Sequence, residues 1–205
     1  MKSLGIVGAN VLVATALFSG GCGGSTSEVP SELGYAFNVT RDYWQDQGVT
    51  GVGRVALKMS SEAGPACQEA IAVSPLVFCF DKAKLTGNIV VSDHYKGEVK
   101  RAQSAGISIN AMAAAAIGHE LGHAVMNMRY AIVANPEQIA DCLAGVAVKS
   151  TQPELVGPAG DYLGVLGGAE YGDRATSFRN GADGGILACD PKLPIQLGIP
   201  APVAS

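Results

Sequence analysis

Two of the three histidines in this 205-residue chain lie four positions apart, within the stretch AIGHELGHAV at residues 117–126. Residues four positions apart on a helix share one face, so the imidazoles of His119 and His123 can both reach one zinc ion. Glu120 directly follows the first histidine. A carboxylate there can take a proton from zinc-activated water and pass it to a leaving amine, which is the chemistry of a zinc hydrolase. The alternative is an ordinary helix whose two histidines are incidental.

A second helix downstream offers a third ligand. The stretch NPEQIADCLAG predicts a helix start with Asn135 as cap, Pro136 at the first position and Gln138 completing a capping box. Glu137 and Asp141 then share one face. We expect Glu137 to be the third zinc ligand, which leaves a fourth position open as in catalytic zinc sites. We expect Asp141 to accept the free N–H of a ligating histidine. The alternative is an acidic, solvated first turn that complements the helix dipole.

Together these motifs resemble the bacterial neutral zinc metallopeptidase family, a branch of the gluzincin-type peptidases. The matching segments are GHELGH, EQIADCLAG, DRATSFRNG and Cys189, with SPLVFCFDKAKLTGNIVVS and Trp44, so the resemblance spans roughly residues 37–190. The chain departs from the family pattern at Ala124, where a further histidine is usual, and at FCFDK, where the family is more aromatic. These departures concern substrate preference more than chemistry.

The resemblance implies a zinc-dependent peptidase. It carries over His119, His123 and Glu137 as ligands of one Zn²⁺ per chain, Glu120 as the catalytic base and Asp141 as a support for the ligands. By this resemblance the protein hydrolyses peptide bonds of a peptide or protein substrate through zinc-bound water.

No motif identifies the group that would stabilise the oxyanion of the reaction. Tyr162, Tyr171, His94 and Arg174 are candidates by chemistry alone, and each is read more simply as a structural or surface residue. His94 also lacks any spacing that would favour it as a zinc ligand. The stretch NIVVSD at residues 88–93 is the nearest candidate for a sheet edge along which an extended substrate would lie.

The elements that position these residues follow from the periodicity of the apolar side chains. Residues 110–130 predict a long helix with Asn110 as its cap. Its interior glycines, Gly118 and Gly122, each stand directly before a histidine. Glycine at these positions allows the close approach of a ligand or of another backbone, as in tight helix packing.

The rest of the chain completes an α+β pattern. Apolar periodicity predicts a helix that Ser31 could cap, and strands at residues 55–59 and 88–93 with a loop-rich stretch between them. Residues 173–181 predict a short amphipathic helix ending at Gly181. With the resemblance, the expected fold is α+β and zincin-like. A small β-sheet occupies the N-terminal half, and the active-site helix and the second zinc-ligand helix occupy the C-terminal half.

Composition and charge narrow the class of protein. A chain with 48% hydrophobic and 16% charged residues suits one globular domain, which we place at residues 31–205. The formal net charge of -4 and the lack of a Lys/Arg cluster in the sequence argue against a nucleic-acid partner. The sequence does not predict an oligomeric state.

The first 21 residues predict an export signal. Lys2 gives a short positive start, residues 4–18 are almost wholly apolar, and small residues precede Cys22. Two forms stay open: a plain secretory signal, or a lipoprotein signal that leaves lipid on Cys22, which LFSGGCGG matches loosely. Residues 22–30 are expected to be a flexible tether. The expected location is the cell envelope, with the protein lipid-anchored to the membrane or secreted to the periplasm or beyond.

The chain has five cysteines, which is an odd number for an exported protein. If Cys22 carries lipid, the other four can form two disulfides in an oxidising compartment. Three pairings are possible, and we expect Cys67 with Cys79 and Cys142 with Cys189. Zinc ligation by cysteines is disfavoured because the sequence has no Cys-x-x-Cys pair.

Three functions fit these features. The first is an exported zinc peptidase with Glu120 as general base. The second is a zinc-binding, lipid-anchored regulatory or binding module without turnover. The third is a lipid-anchored structural domain without metal. The presence of Glu120 beside a complete ligand set favours the first over the second, and two helical motifs at compatible spacing disfavour the third.

Overall fold

The computed structural model describes residues 28–166 and 173–199, which form three strands and nine α-helices. The strands are β1 (Val55–Met59), β2 (Leu76–Asp81) and β3 (Thr86–Val91). The helices are α1 (Ser31–Asp46), α2 (Gln68–Ile71), α3 (Tyr95–Ser104), α4 (Ile109–Met128), α5 (Pro136–Thr151), α6 (Val156–Leu166), α7 (Arg174–Gly184), α8 (Ile186–Cys189) and α9 (Leu193–Leu197). The predicted export signal, Cys22, most of the tether and Tyr171 lie outside the described residues. A mixed α+β fold with its sheet in the N-terminal half is confirmed.

The sheet has β3 at its centre. Its order is β1-β3-β2, with β1 parallel and β2 antiparallel to β3. In register, Val55 lies opposite Gly87, and Leu76 lies opposite Val91. The prediction that residues 88–93 provide a free sheet edge is wrong, because β3 is paired on both sides.

The sequence predicts a loop-rich stretch where the structure has β2. Leu76 belongs to the main core and Phe78 packs against it, whereas Val77 and Cys79 pack against a second, smaller cluster around Cys67. Because both faces of β2 contact apolar side chains, its sequence LVFCFD lacks the alternation of apolar and polar residues that marks a half-exposed strand.

The starts of α4 and α5 differ in detail from the predictions. The Ser108 hydroxyl accepts a hydrogen bond from the Ala111 N–H at 3.2 Å, so Ser108 is the N-cap and Asn110 lies inside α4. Asn135 occupies the predicted cap position of α5, but its side chain makes no capping hydrogen bond. The expected capping box with Gln138 is therefore not formed. Both helices nevertheless cover the segments that carry the site residues.

Two glycines of α4 let it pack closely against α5. A β-carbon on Gly122 would lie 2.7 Å from the Ala140 carbonyl oxygen, and one on Gly118 would lie 2.9 Å from the Ala144 β-carbon. Larger residues at these positions would push the two helices apart. Of the two explanations that the sequence left open, tight helix packing is the one that the structure shows.

α7 also packs against α5 through glycines. A β-carbon on Gly181 would overlap the Cys142 carbonyl group, and one on Gly145 would overlap the backbone of Phe178. The prediction that α7 ends at Gly181 is wrong, and the helix continues to Gly184. Gly181 serves close packing inside the helix rather than its termination.

One core joins the sheet to the helices. It includes Trp44 of α1, Ile89 of β3, Leu121 of α4, Leu143 of α5 and Phe178 of α7, all fully buried. This packing makes α4 and α5 a rigid support for the side chains at their surface.

Two disulfides are formed with the expected pairing. Cys67 is joined to Cys79, and Cys142 of α5 is joined to Cys189 of α8. Disulfides of this kind are compatible with an extracellular or periplasmic protein. Within the described ranges, no helix combines the length and apolar character needed to cross a membrane.

Candidate metal centre

The two histidines of α4 converge on one point. The Nε2 atoms of His119 and His123 lie 3.1 Å apart, and their rings are nearly perpendicular, with centroids 4.7 Å apart. His119 is buried and His123 is half-buried. Two imidazole nitrogens that face each other this closely share a position where a proton or a metal ion can lie between them.

Glu137 of α5 completes a group of three. Its Oε2 atom lies 3.2 Å from Nε2 of His119, and its Oε1 atom lies 3.3 Å from Nε2 of His123. The three residues form a group that could hold a metal ion. Zinc bonds of about 2.0–2.1 Å in a tetrahedron place neighbouring ligand atoms about 3.3 Å apart, and the separation of the two histidine nitrogens fits this spacing. One ligand atom from each of the three residues lies within 4.8 Å of the other two.

Asp141 holds His119 from the other side of the ring. This carboxylate is fully buried, and its Oδ1 atom lies 2.7 Å from Nδ1 of His119. A proton on Nδ1 that is donated to Asp141 leaves the Nε2 lone pair directed toward Glu137 and His123. Asp141 therefore selects the tautomer that a metal site requires.

Arg174, at the start of α7, binds Asp141 with two hydrogen bonds. Its Nε atom donates to Oδ2 at 2.8 Å, and its Nη2 atom donates to Oδ1 at 2.7 Å. Nη2 also lies 2.9 Å from Nδ1 of His119, which carries the proton in this arrangement and so does not accept. The sequence did not predict this role. Arg174 was a candidate for stabilising the oxyanion, but its guanidinium is bound to Asp141 instead.

The charges of this group set its protonation in the metal-free protein. Burial lowers the pKa of His119, but hydrogen bonds to Asp141 and Glu137 outweigh it and raise that pKa to about 9. Hydrogen bonds from His119 and His123 hold the pKa of Glu137 well below its usual range. Burial raises the pKa of Asp141, but the hydrogen bonds from Arg174 and His119 prevail and lower it. Without metal, a proton on His119 therefore occupies the place of a cation.

The group opens into a cavity of about 770 Å³. One wall carries His119, His123, Glu137 and the half-exposed Glu120. The remaining walls come from apolar residues of and before β2 and from side chains of α3 and α6. Those side chains are Val73, Pro75, Leu76, Val77, Phe78, Phe80, Glu98, Arg101, Tyr162 and Leu163. A solvent-accessible cavity beside three ligands is the arrangement that an open coordination position requires.

The oxyanion candidates are separated by the fold. Tyr162 lines the cavity and is almost fully buried. His94 lies elsewhere, with its Nε2 atom 2.9 Å from the Ala72 carbonyl oxygen and outside the lining of the cavity. Tyr171 lies outside the described residues. Arg174 also lines the cavity, but its guanidinium is bound to Asp141. The Tyr162 hydroxyl interacts with Glu98 and with none of the three candidate ligands.

Sequence reasoning also missed the contributions of β2 and α3 to the cavity. Glu98 and Arg101 come from α3, where no motif marks them. The apolar run LVFCF was the signal that could have located the strand beside the site. No family model, curated protein or solved structure matches this chain.

Proposed function

We propose that the protein is an exported zinc-dependent peptidase of the zincin type, related to the gluzincin-type family that its sequence resembles. The observation that carries the proposal is the convergence of His119, His123 and Glu137 beside Glu120 in an open cavity. Two imidazole nitrogens and a carboxylate oxygen form a donor set that suits zinc. Disulfides and an expected export signal support a location outside the cytosol.

The donor set supports a catalytic rather than a structural ion. Structural zinc sites fill all four positions with protein ligands, whereas three ligands beside a cavity leave one position for water or substrate. When bound, zinc polarises a carbonyl group and lowers the pKa of water in its coordination sphere. Asp141 keeps His119 in the tautomer that binds, and Arg174 keeps Asp141 charged.

Glu120 supplies the proton transfer. It follows His119 on α4 and lines the same cavity, so its carboxylate is placed beside the ligands without being one of them. In the proposed reaction Glu120 takes a proton from the attacking water and delivers it to the nitrogen of the leaving amine.

Tyr162 stabilises the negative charge that develops on the carbonyl oxygen. Burial, the nearby charge of Glu98 and a side-chain hydrogen bond to Glu98 raise the pKa of Tyr162, so the phenol keeps its proton. A protonated hydroxyl in the cavity wall is the donor that this step requires.

The substrate lies along β2 in this proposal. Among the described strands β2 is paired only with β3, and four of its residues line the cavity: Leu76, Val77, Phe78 and Phe80. An extended peptide can add to a free strand edge through backbone hydrogen bonds. The edge predicted at residues 88–93 is thus replaced by the neighbouring strand.

Hydrolysis of a quenched fluorescent peptide library by zinc-loaded protein tests the proposal. Wild type should cleave peptides, and Glu120→Gln should lower kcat by roughly 10² or more while zinc content stays the same. Glu154→Gln, a change at an exposed acid outside the cavity, is the matched control and should match wild type. A wild type that holds zinc but cleaves nothing would favour a zinc-binding module without turnover.

A further inference from the structure

One carboxylate in the wall of the cavity has no part in the centre described above. Glu98 of α3 lines the cavity with His119 and Glu120, and only 12% of its side chain is exposed. The Tyr162 hydroxyl interacts with this carboxylate, but the buried Oε1 atom accepts no hydrogen bond from a described residue. A buried carboxylate oxygen without a donor is unfavourable, so a site that carries one is matched to a ligand that brings the donor.

The neighbouring cations do not supply that donor. Arg101 approaches Glu98 only on the other oxygen, with Nη1 4.0 Å from Oε2, and its Nη2 atom donates to the Val165 carbonyl oxygen at 2.6 Å. The Arg101 side chain is half exposed, so water screens its charge. Arg174 is bound to Asp141. Glu98 therefore has an oxygen available for a further positive group.

We propose that Glu98 binds a cationic nitrogen of the substrate, so that the cavity selects peptides with a positive charge near the bond that is cleaved. This inference rests on the proposed peptidase function. The terminal torsion of a glutamate rotates over a broad range, so the carboxylate can turn Oε1 toward a group in the cavity. The cationic nitrogen comes either from a lysine or arginine side chain or from the free amino terminus of the peptide.

The other charges of the cavity agree with this sign. Glu120 also lines the cavity and is not paired with a cation among the described residues. An acidic substrate side chain would face two carboxylates. Of the two arginines that line the cavity, Arg174 is balanced by the fully buried Asp141, and Arg101 is half exposed to water and lies beside Glu98. A cation near Glu98 would be attracted by both carboxylates, and its ammonium or guanidinium group would form a charge-assisted hydrogen bond with Glu98.

The test measures how zinc-loaded protein cleaves quenched fluorescent peptides that derive from one parent sequence. A single lysine is moved through the peptide and compared with norleucine at each position, and every peptide is made with a free and an acetylated amino terminus. Glu98→Gln removes the charge and keeps the shape, and Glu154→Gln serves as the control. Zinc content is measured for each variant, and Glu98→Gln should hold as much as wild type because Glu98 is not a ligand.

Wild type should cleave the best cationic peptide with a kcat/KM roughly ten- to a hundredfold above its neutral partner, which is the range of a charged hydrogen bond. Glu98→Gln should bring this ratio close to one. Because Glu98 also acts on Tyr162, the ratio of kcat/KM for cationic and neutral peptides, and not the rate for the neutral peptide alone, is the readout. Loss of the preference on acetylation identifies the amino terminus as the source, and loss on replacement of lysine identifies the side chain. Equal loss for cationic and neutral peptides, or a preference for neutral peptides in wild type, would overturn the inference.

A binding measurement separates this inference from the proposed function. Fluorescence anisotropy gives the Kd of the same peptides for zinc-loaded Glu120→Gln and for Glu98→Gln in that background, so turnover is not required. The Glu120→Gln protein should bind cationic peptides about tenfold more tightly than the neutral peptides. This difference should vanish when Glu98→Gln is added. If the variants show this binding preference but wild type cleaves no peptide, the proposed peptidase function is overturned and the role of Glu98 in binding cations is kept. Peptide cleavage without this binding preference would do the reverse, and the absence of peptide binding would overturn both.

Discussion

Asp141 of α5 lies between His119 of α4 and Arg174 of α7, and its Oδ1 atom is 2.7 Å from both His119 Nδ1 and Arg174 Nη2. The carboxylate is fully buried, so both contacts act with little screening by water. One side chain thereby fixes the orientation of a ligand and ties three helices together at the candidate metal centre.

Replacing Asp141 should weaken zinc binding without removing a ligand. In Asp141→Asn the side chain no longer carries the charge that holds the Nδ1 proton of His119, and we expect zinc affinity to fall roughly ten- to a hundredfold. Competition with a chromogenic chelator measures this change. Asp161→Asn, at an exposed acid that pairs with Arg179, is the control and should bind zinc as wild type does. Equal zinc affinity in Asp141→Asn and wild type would show that Asp141 does not support zinc binding through His119.

Gly122 tests the packing that brings the two helices together. Its missing β-carbon leaves room for the Ala140 backbone, which cannot rotate away, so Gly122→Ala should destabilise the protein by about 1–3 kcal/mol. Gly34→Ala is the matched control, because Gly34 lies in α1 with no atom near its absent β-carbon. That change should stabilise α1 by up to about 1 kcal/mol. Urea denaturation measures both, and a neutral Gly122→Ala would contradict the close contact.

The stability of the metal-free protein should depend on pH through His119. Its pKa of about 9 in the folded protein lies above the ordinary value of 6.5, so the charged ring stabilises the fold. This contribution is fully present below pH 6.5 and is lost as the pH rises through about 9. The free energy of unfolding in chelator should therefore fall over that interval, and His119→Gln should reduce the fall. Equal slopes in the two proteins would contradict the raised pKa.

Zinc should reverse this dependence. A proton and a zinc ion compete for Nε2 of His119, so the stabilisation by a fixed zinc concentration should grow as the pH rises toward 9. Calorimetry near pH 7 in buffers of different ionisation enthalpy should detect the release of about one proton on zinc binding. Absence of proton release would mean that His119 is neutral in the metal-free protein.

The two disulfides should contribute unequally to stability. Cys142 and Cys189 are separated by 47 residues in sequence, whereas Cys67 and Cys79 are separated by 12. The chain-entropy model gives about 4 kcal/mol for the longer loop and about 3 kcal/mol for the shorter one. Thermal unfolding of the paired alanine variants should show the larger loss for Cys142 and Cys189. Zinc affinity should also fall there, because Cys142 follows Asp141 on α5, and should stay unchanged in the other pair.

The spacing of residues along the chain predicted which side chains could be ligands, but it did not predict that α4 and α5 pack together and bring them to one site. His119 with His123, and Glu137 with Asp141, share helix faces by the helical repeat alone. That the two faces meet depends on Gly118 and Gly122 fitting against α5. From the sequence, these glycines indicated that something approaches α4 closely, but they did not show whether it is a ligand or another helix.

The features that were missed depend on residues far apart in the chain. Arg174 finds Asp141 across 33 positions, and no local pattern links them. The order of the sheet places β3 between β1 and β2, so the strand predicted as an edge is the central one. β2 itself lacked alternation because each of its faces packs on a different apolar cluster.

The zinc content of the purified protein shows whether His119, His123 and Glu137 hold a metal ion. Wild type, His119→Ala, Glu137→Ala and His94→Ala are purified without chelator, offered zinc and dialysed before metal analysis. His94 is the control, since this third histidine lies outside the cavity. We expect one zinc per chain in wild type and His94→Ala, and loss or strong weakening of zinc binding in His119→Ala and Glu137→Ala. Near-zero zinc in wild type, or equal zinc in all four proteins, would contradict this expectation.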